Sequence, residues 1–238
     1  MKRAHHNGIY VALALLSGSL FTTPAAPSET GAVAVPGAIG GFEVSVTSLQ
    51  SMRFRSVIRQ QYDFSCGSAA LATLLTYHYG LPTSEKEAFS GMYEAGDQER
   101  IQAQGFSLLD MKRYLEGRGI PSDGFRIPLE QLEELGVPAI ALVEIDGYRH
   151  FVVIKGIEDG RVLVGDPALG LQAYRKAEFK EHWSNDILFL IRDRMDTART
   201  HFSPPAAWQA VTAPPFDTAL DRESLAGFTL TLPRSSDW

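Results

Sequence analysis

From about Phe54 the chain settles into sustained apolar periodicity, and the period changes near its middle. In "SCGSAALATLLTYHYG" (65–80) small and apolar residues fill every turn. Ser65 or Asp63 stands where a helix would be capped and Gly80 can close it, so the stretch predicts a helix. "SLLDMKRYLEGRG" carries Ser107 three residues before Asp110, a reciprocal capping pattern. It predicts a second helix to about Leu115 that stops at Gly117 or Gly119, and "PLEQLEEL" predicts a short third. Beyond it, "PAIALVEI", "HFVVIKGI", "RVLVGD" and "DILFLIR" are β-branched runs separated by Gly, Asp and Pro, the pattern of strands in an antiparallel sheet. Helices first and strands after give an α+β class, a helical N-terminal half packed on an antiparallel sheet, over residues 54–195.

Outside that span the pattern lapses. "MKRAHHNG" is basic, Ile9 to Phe21 is a 13-residue run almost free of polar groups, and "TTPAA" supplies small residues. Residues 1–25 therefore predict an export signal cut after Ala25; the run is short for a bilayer span, which favours cleavage over an uncleaved anchor. Residues 26–53, rich in Gly, Ala and Pro, predict a linker with one strand at Phe42 to Leu49. Residues 196–238 are Pro-rich and predict a tail, poorly ordered or draped over the surface.

Charge removes some partners and the cysteine content adds a question. A net charge of -6 over 238 residues, with no block of like charges, gives no footprint for nucleic acid or an anionic membrane surface. The chain has one cysteine, Cys66, although export into an oxidising compartment usually selects for paired cysteines or none. It stands where a polar loop ends and the 65–80 helix begins. There the unpaired N–H groups and the positive end of the helix dipole favour a thiolate, so the sequence predicts a lowered pKa. Gly67 would let a substrate backbone approach. The plain alternative is a small apolar side chain packed at a helix end.

"YRHFVVIKGIEDGRVLVGDPALG" supplies more. Its "EDG" predicts a hairpin turning near Asp159 and Gly160, which brings His150 and Asp166 to within a place or two of facing each other at the open end. A carboxylate there could hold the imidazole in one tautomer. Taken singly, an edge histidine and an Asp-Pro turn are commonplace. A helix-start cysteine, a facing His/Asp pair and an upstream glutamine together would supply nucleophile, base, orienting group and oxyanion donor.

These residues resemble a known family. "QQYDFSCGSAAL", with glutamine six positions before the cysteine, together with "HFVVI" and a "VGDP" whose Asp166 lies sixteen positions after the histidine, is similar to the papain-like bacteriocin-processing cysteine peptidases, which cut leader peptides after a double glycine. The resemblance implies a papain-like fold, Cys66 as nucleophile, His150 as base, Asp166 as orienting carboxylate and Gln60 as the oxyanion donor, with Gln61 as competitor. It implies a peptide or protein substrate and no cofactor. Most such domains begin a transporter, whereas this chain carries an export signal. It is therefore similar to the standalone peptidases of bacterial functional-amyloid secretion systems, acting in the periplasm on an amyloid or leader-bearing protein beside membrane-associated secretion machinery. A non-hydrolytic export chaperone using the same groove, or a cell-wall amidase, are the rival functions. Of the remaining motifs, His5 and His6 would leave with the signal. His78 is too far along its helix to serve Cys66 and predicts a surface or core-edge residue; His182 with Trp183 predicts a packing segment. Gly40-Gly41 before Phe42 resembles the family's cleavage signal and suggests self-trimming.

Overall fold

The computed structural model describes residues 30–35, 42–47, 49–62, 65–145 and 147–212, divided into a unit through Val46 and a second from Thr47 onward. In the first, β1 (Thr30–Val35) and β2 (Phe42–Thr47) pair as a two-stranded sheet. The span expected as a linker thus holds two strands and, from Leu49, a helix: apolar residues alternate in "TGAVAV" and "FEVSVT", and that period-two pattern outweighs the Gly and Pro between them.

The second unit runs α1 (Leu49–Phe54), α2 (Cys66–His78), α3 (Glu85–Ala95), α4 (Gln98–Gln104), α5 (Leu108–Gly117), β3 (Ser122–Phe125), α6 (Leu129–Leu135), β4 (Ala139–Ile145), β5 (Tyr148–Glu158), β6 (Arg161–Asp166), β7 (Gly170–Arg175), α7 (Lys176–His182), β8 (Trp183–Ile191), α8 (Met195–Thr200) and α9 (Pro205–Thr212). Its six strands form one antiparallel sheet in the order β3-β8-β4-β5-β6-β7, with α2 lying across β5 and α3 and α5 packed on α2. This is the α+β architecture the sequence predicts.

α2 is buried on nearly every side, from Gly67 through Leu75, which is why it is built of Gly, Ser, Ala and Leu rather than of an apolar stripe with a polar back. Leu71, Leu74 and Leu75 are fully covered and each contributes about 1.5–3 kcal/mol by leaving water. Its two buried hydroxyls are satisfied: Ser68 donates to the Ser65 carbonyl at 2.8 Å, and Thr73 accepts from the Ile58 N–H at 2.9 Å. α5 opens on the expected reciprocal cap between Ser107 and Asp110.

Part of the span expected as a tail from residue 196 is helical, in α8 and α9. α9 buries Ala207 and Trp208 against Val57, Leu163 and Leu171, and Arg161 lies 5.1 Å over the Trp208 ring, so one aromatic anchor outweighs the flanking prolines. The signal over 1–25, Gly40-Gly41, Asp63 and the chain beyond Thr212 lie outside the described residues. Among the described residues no helix is long and apolar enough to cross a membrane.

His78 is buried rather than peripheral. Its Nε2 lies 2.9 Å from Nζ of Lys155, which is also buried and donates to the Ser56 carbonyl at 2.9 Å. Burial pulls Lys155 down to about 7. An unfolded lysine holds its proton to about pH 10.4, so between roughly pH 7 and 10 the unfolded chain binds a proton the folded one lacks. Stability then rises with pH across that window, by up to about 1.4 kcal/mol per pH unit, and the gain is lost as pH falls toward 7. In urea unfolding at about pH 7.5 and 9, the wild type should gain stability relative to Lys155→Met, which keeps every other titrating group. Parallel behaviour of the two would show that Lys155 is charged in the fold.

Candidate active site

The β5–β6 hairpin turns at Asp159 (φ 49°) and Gly160 (φ 72°), two left-handed residues of the kind that matches the twist of paired strands. The ladder pairs Glu158 with Arg161 and, after a bulge between Ile154 and Gly156, Val153 with Gly165. Continuing that register sets Asp166 opposite Val152, one diagonal step from His150. Nε2 of His150 lies 2.8 Å from Oδ2 of Asp166, both side chains being at most 8% exposed. Oδ1 of Asp166 accepts from the N–H groups of Ala168 at 2.7 Å and Leu169 at 3.1 Å. An ionised carboxylate only accepts, so it selects the neutral imidazole tautomer protonated on Nε2. Nδ1 keeps the lone pair; it is buried and has no hydrogen-bond partner among the described residues. Tyr148, half exposed, stacks on the imidazole with centroids 5.5 Å apart.

Cys66 is the first residue of α2 and a free thiol. Gly67 presses the helix start against the sheet: a Cβ there would meet Phe106 Cβ at 3.0 Å, Met111 Cε at 3.2 Å and Phe151 Cδ2 at 3.4 Å. That glycine therefore serves packing between protein segments rather than the approach of a substrate. Burial pushes the Cys66 thiol pKa up, the N–H groups of Phe151, Gly67 and Cys66 itself pull it down, and the negative charge of Asp166 raises it. The lowered pKa expected at a helix start is not found, because loss of water outweighs the amides. The thiol thus feels both the amide of Phe151, the residue that follows His150, and the charge of Asp166. It opens on a groove of about 610 Å³ whose walls include Phe106, Ser107, Leu142, Tyr148 and Phe151.

Gln60 is half buried and its N–H donates to the Pro167 carbonyl at 3.0 Å, which ties it to the turn that follows Asp166. The Gln61 side chain is exposed, while its N–H donates to the Glu85 carboxylate. Ser65 occupies the cap position of α2 without capping it; its hydroxyl turns back instead toward Glu85. The sequence reading passed over Glu85 and Tyr148. Glu85 shares one face of α3 with Ala88 and Met92, and a carboxylate on an otherwise apolar stripe was the available signal. His182 closes α7 with its ring 6.2 Å from that of Tyr174, as a packing residue. No group of three or more His, Cys, Asp or Glu that could hold a metal ion occurs among the described residues.

Residues 55–194 match the model of the peptidase C39 family. A protein of Pseudomonas aeruginosa named as a probable functional amyloid protease, FapD, is 44% identical over 185 residues, 77% of this chain and 80% of that one. The protein of the same name from Pseudomonas fluorescens is 38% identical over 190 residues, 79% of this chain and 84% of that one. Among solved structures, the peptidase domain of Streptococcus ComA aligns over 57% of this chain and 96% of its own with 20% identity and a TM-score of 0.48.

Proposed function

The chain belongs to the peptidase C39 family, and from that premise we propose that it is an exported cysteine endopeptidase with Cys66, His150, Asp166 and Gln60 as its catalytic residues. The observation that carries the assignment is the buried His150–Asp166 contact at 2.8 Å. It leaves Nδ1 without a partner among the described residues, on the residue that precedes Phe151, whose amide acts on the Cys66 thiol.

Because burial keeps the thiol protonated at rest, the thiolate forms at the moment of attack. Nδ1 of His150 takes the proton from Sγ as Sγ bonds to the scissile carbonyl carbon. The carbonyl oxygen becomes an oxyanion that accepts from the Gln60 side-chain amide and the Cys66 N–H. The imidazolium, stabilised by Asp166, then gives its proton to the leaving amine. Water, deprotonated by the same Nδ1, releases the acyl group from sulfur.

The substrate we propose is a secreted protein of a functional-amyloid system, cut after a double glycine, in the periplasm. The names of the two Pseudomonas relatives support the amyloid, and the signal-like sequence over 1–25 supports the compartment. To test this, purified mature protein is incubated with the secreted proteins encoded beside its gene, and new termini are mapped by mass spectrometry. We expect one cut after Gly-Gly; the absence of any new terminus would overturn the reading. In the same assay Gln60→Ala should lower kcat by about a hundredfold to a thousandfold, as loss of one oxyanion donor does. Gln61→Ala should leave the rate almost unchanged, since its exposed side chain is lost while its N–H stays. Equal losses would reassign the donor.

A further inference from the structure

Beyond the four proposed catalytic residues, one buried carboxylate touches the chain neighbours of two of them, Gln60 and Cys66. Glu85, the first residue of α3, is 4% exposed. Its Oε1 accepts from the Gln61 N–H at 3.0 Å and from the Ser65 hydroxyl at 2.5 Å, and Oε2 lies 3.1 Å from the same Gln61 nitrogen. Gln61 is the neighbour of Gln60, and Ser65 is the neighbour of Cys66. Ser65 is drawn away from capping α2 and closes the loop on itself, with its Oγ 2.9 Å from the Tyr62 carbonyl. The far end of the loop is fixed through the Gln60 N–H on Pro167.

We infer that Glu85 is a positioning residue of the active site: its carboxylate pins the backbone on both sides of the loop and so sets the spacing between the oxyanion donor Gln60 and the sulfur of Cys66. The inference rests on the assignment of those two residues above. A carboxyl group in such cover is retained only when its hydrogen bonds are met, and here those of Gln61 and Ser65 go to the one loop whose shape the oxyanion site requires. α3 packs on α2 directly, so the clamp is anchored in the core rather than in another loop.

The geometry also says which substitution should be tolerated. In Glu85→Gln the amide oxygen can accept from Gln61 N–H, the amide NH₂ can donate to Ser65 Oγ, and the Ser65 proton can pass to the Tyr62 carbonyl. Both loop donors stay met, and one amide hydrogen of the new side chain is left over. Glu85→Ala removes the acceptor of the Gln61 N–H and leaves the Ser65 hydroxyl to the Tyr62 carbonyl alone, so both ties of the loop to α3 are lost.

The test uses steady-state kinetics on a peptide spanning the mapped cleavage site. Glu85→Ala should lower kcat about tenfold to a hundredfold with KM within about twofold, because the loss falls on the oxyanion and not on the groove. Glu85→Gln should stay within severalfold of wild type. The deciding measurement is the cycle with Gln60→Ala. If Glu85 acts through Gln60, Glu85→Ala costs little more once Gln60 is gone, whereas a purely structural role costs the same factor in both backgrounds. Additive losses, a loss carried by KM, or Glu85→Gln as damaging as Glu85→Ala would overturn the inference. If Glu85→Ala reduces the yield of folded protein, Glu85→Asp takes its place in the cycle, its carboxylate being one methylene short of both donors. Cys66→Ala is run in parallel: cleavage by that variant would mean that the functional assignment has failed, while its inactivity with additive losses rejects the role of Glu85 alone.

Discussion

Cys66→Ala should abolish cleavage, by more than about ten-thousandfold in kcat, while leaving the fold and the affinity for substrate in place. In the proposed mechanism the sulfur is the nucleophile, and the Ser107 hydroxyl in the groove wall cannot replace it: its Oγ is committed to Asp110 Oδ2 at 2.6 Å within the cap of α5. Alanine suits the first turn of a helix and removes one atom from a partly exposed position, so melting should shift little. The groove is otherwise lined by residues the substitution does not touch, and binding followed by fluorescence anisotropy should persist. These two readouts separate a peptidase from an export chaperone that uses the same groove without turnover. A chaperone would lose neither binding nor export on this substitution, and cleavage that survived it would place the nucleophile elsewhere.

The parts legible from sequence alone were those whose signals are local. The α5 cap is a four-residue pattern, and the β5–β6 turn is announced by Asp-Gly; because strand pairing has a period of two, that turn also fixed how near His150 and Asp166 would come. β3 gave no such warning. "SDGF" has little strand propensity, and it is extended because it pairs with the edge of β8, from Ser122 against Ile191 to Phe125 against Leu188. α3 was missed although Ser84 caps it by accepting from the Glu87 N–H, since its apolar face is interrupted by Glu85. The thiol misled for an opposite reason. A helix start lowers a pKa only as far as water or the amides can reach the sulfur, and how deeply Cys66 would be covered depends on segments distant in sequence, such as those of Phe106 and Phe151, which share its groove. The candidate site was thus readable as chemistry before it was readable as an environment.

Asp166→Asn should lower kcat by about a hundredfold to ten-thousandfold, even though asparagine is nearly the same shape and serves as the orienting group in other papain-like peptidases. The reason lies in what Asp166 does with its second oxygen. Oδ1 accepts two backbone N–H groups, from Ala168 and Leu169, so an asparagine must put its carbonyl oxygen there; turned the other way, its NH₂ would face two donors. The NH₂ is then left facing Nε2 of His150, where it can only donate. That requires an unprotonated Nε2 and moves the ring proton to Nδ1, the atom that must take the thiol proton. The variant would hold the base in the wrong tautomer while keeping the turn intact, so the loss should appear in kcat with an unchanged melting temperature and little change in KM. Asp166→Ala would not separate these effects, because it also removes the acceptor of the two N–H groups that shape the turn. An Asn variant within about tenfold of wild type would show that neither the charge at Asp166 nor the tautomer it selects is needed for proton transfer from sulfur.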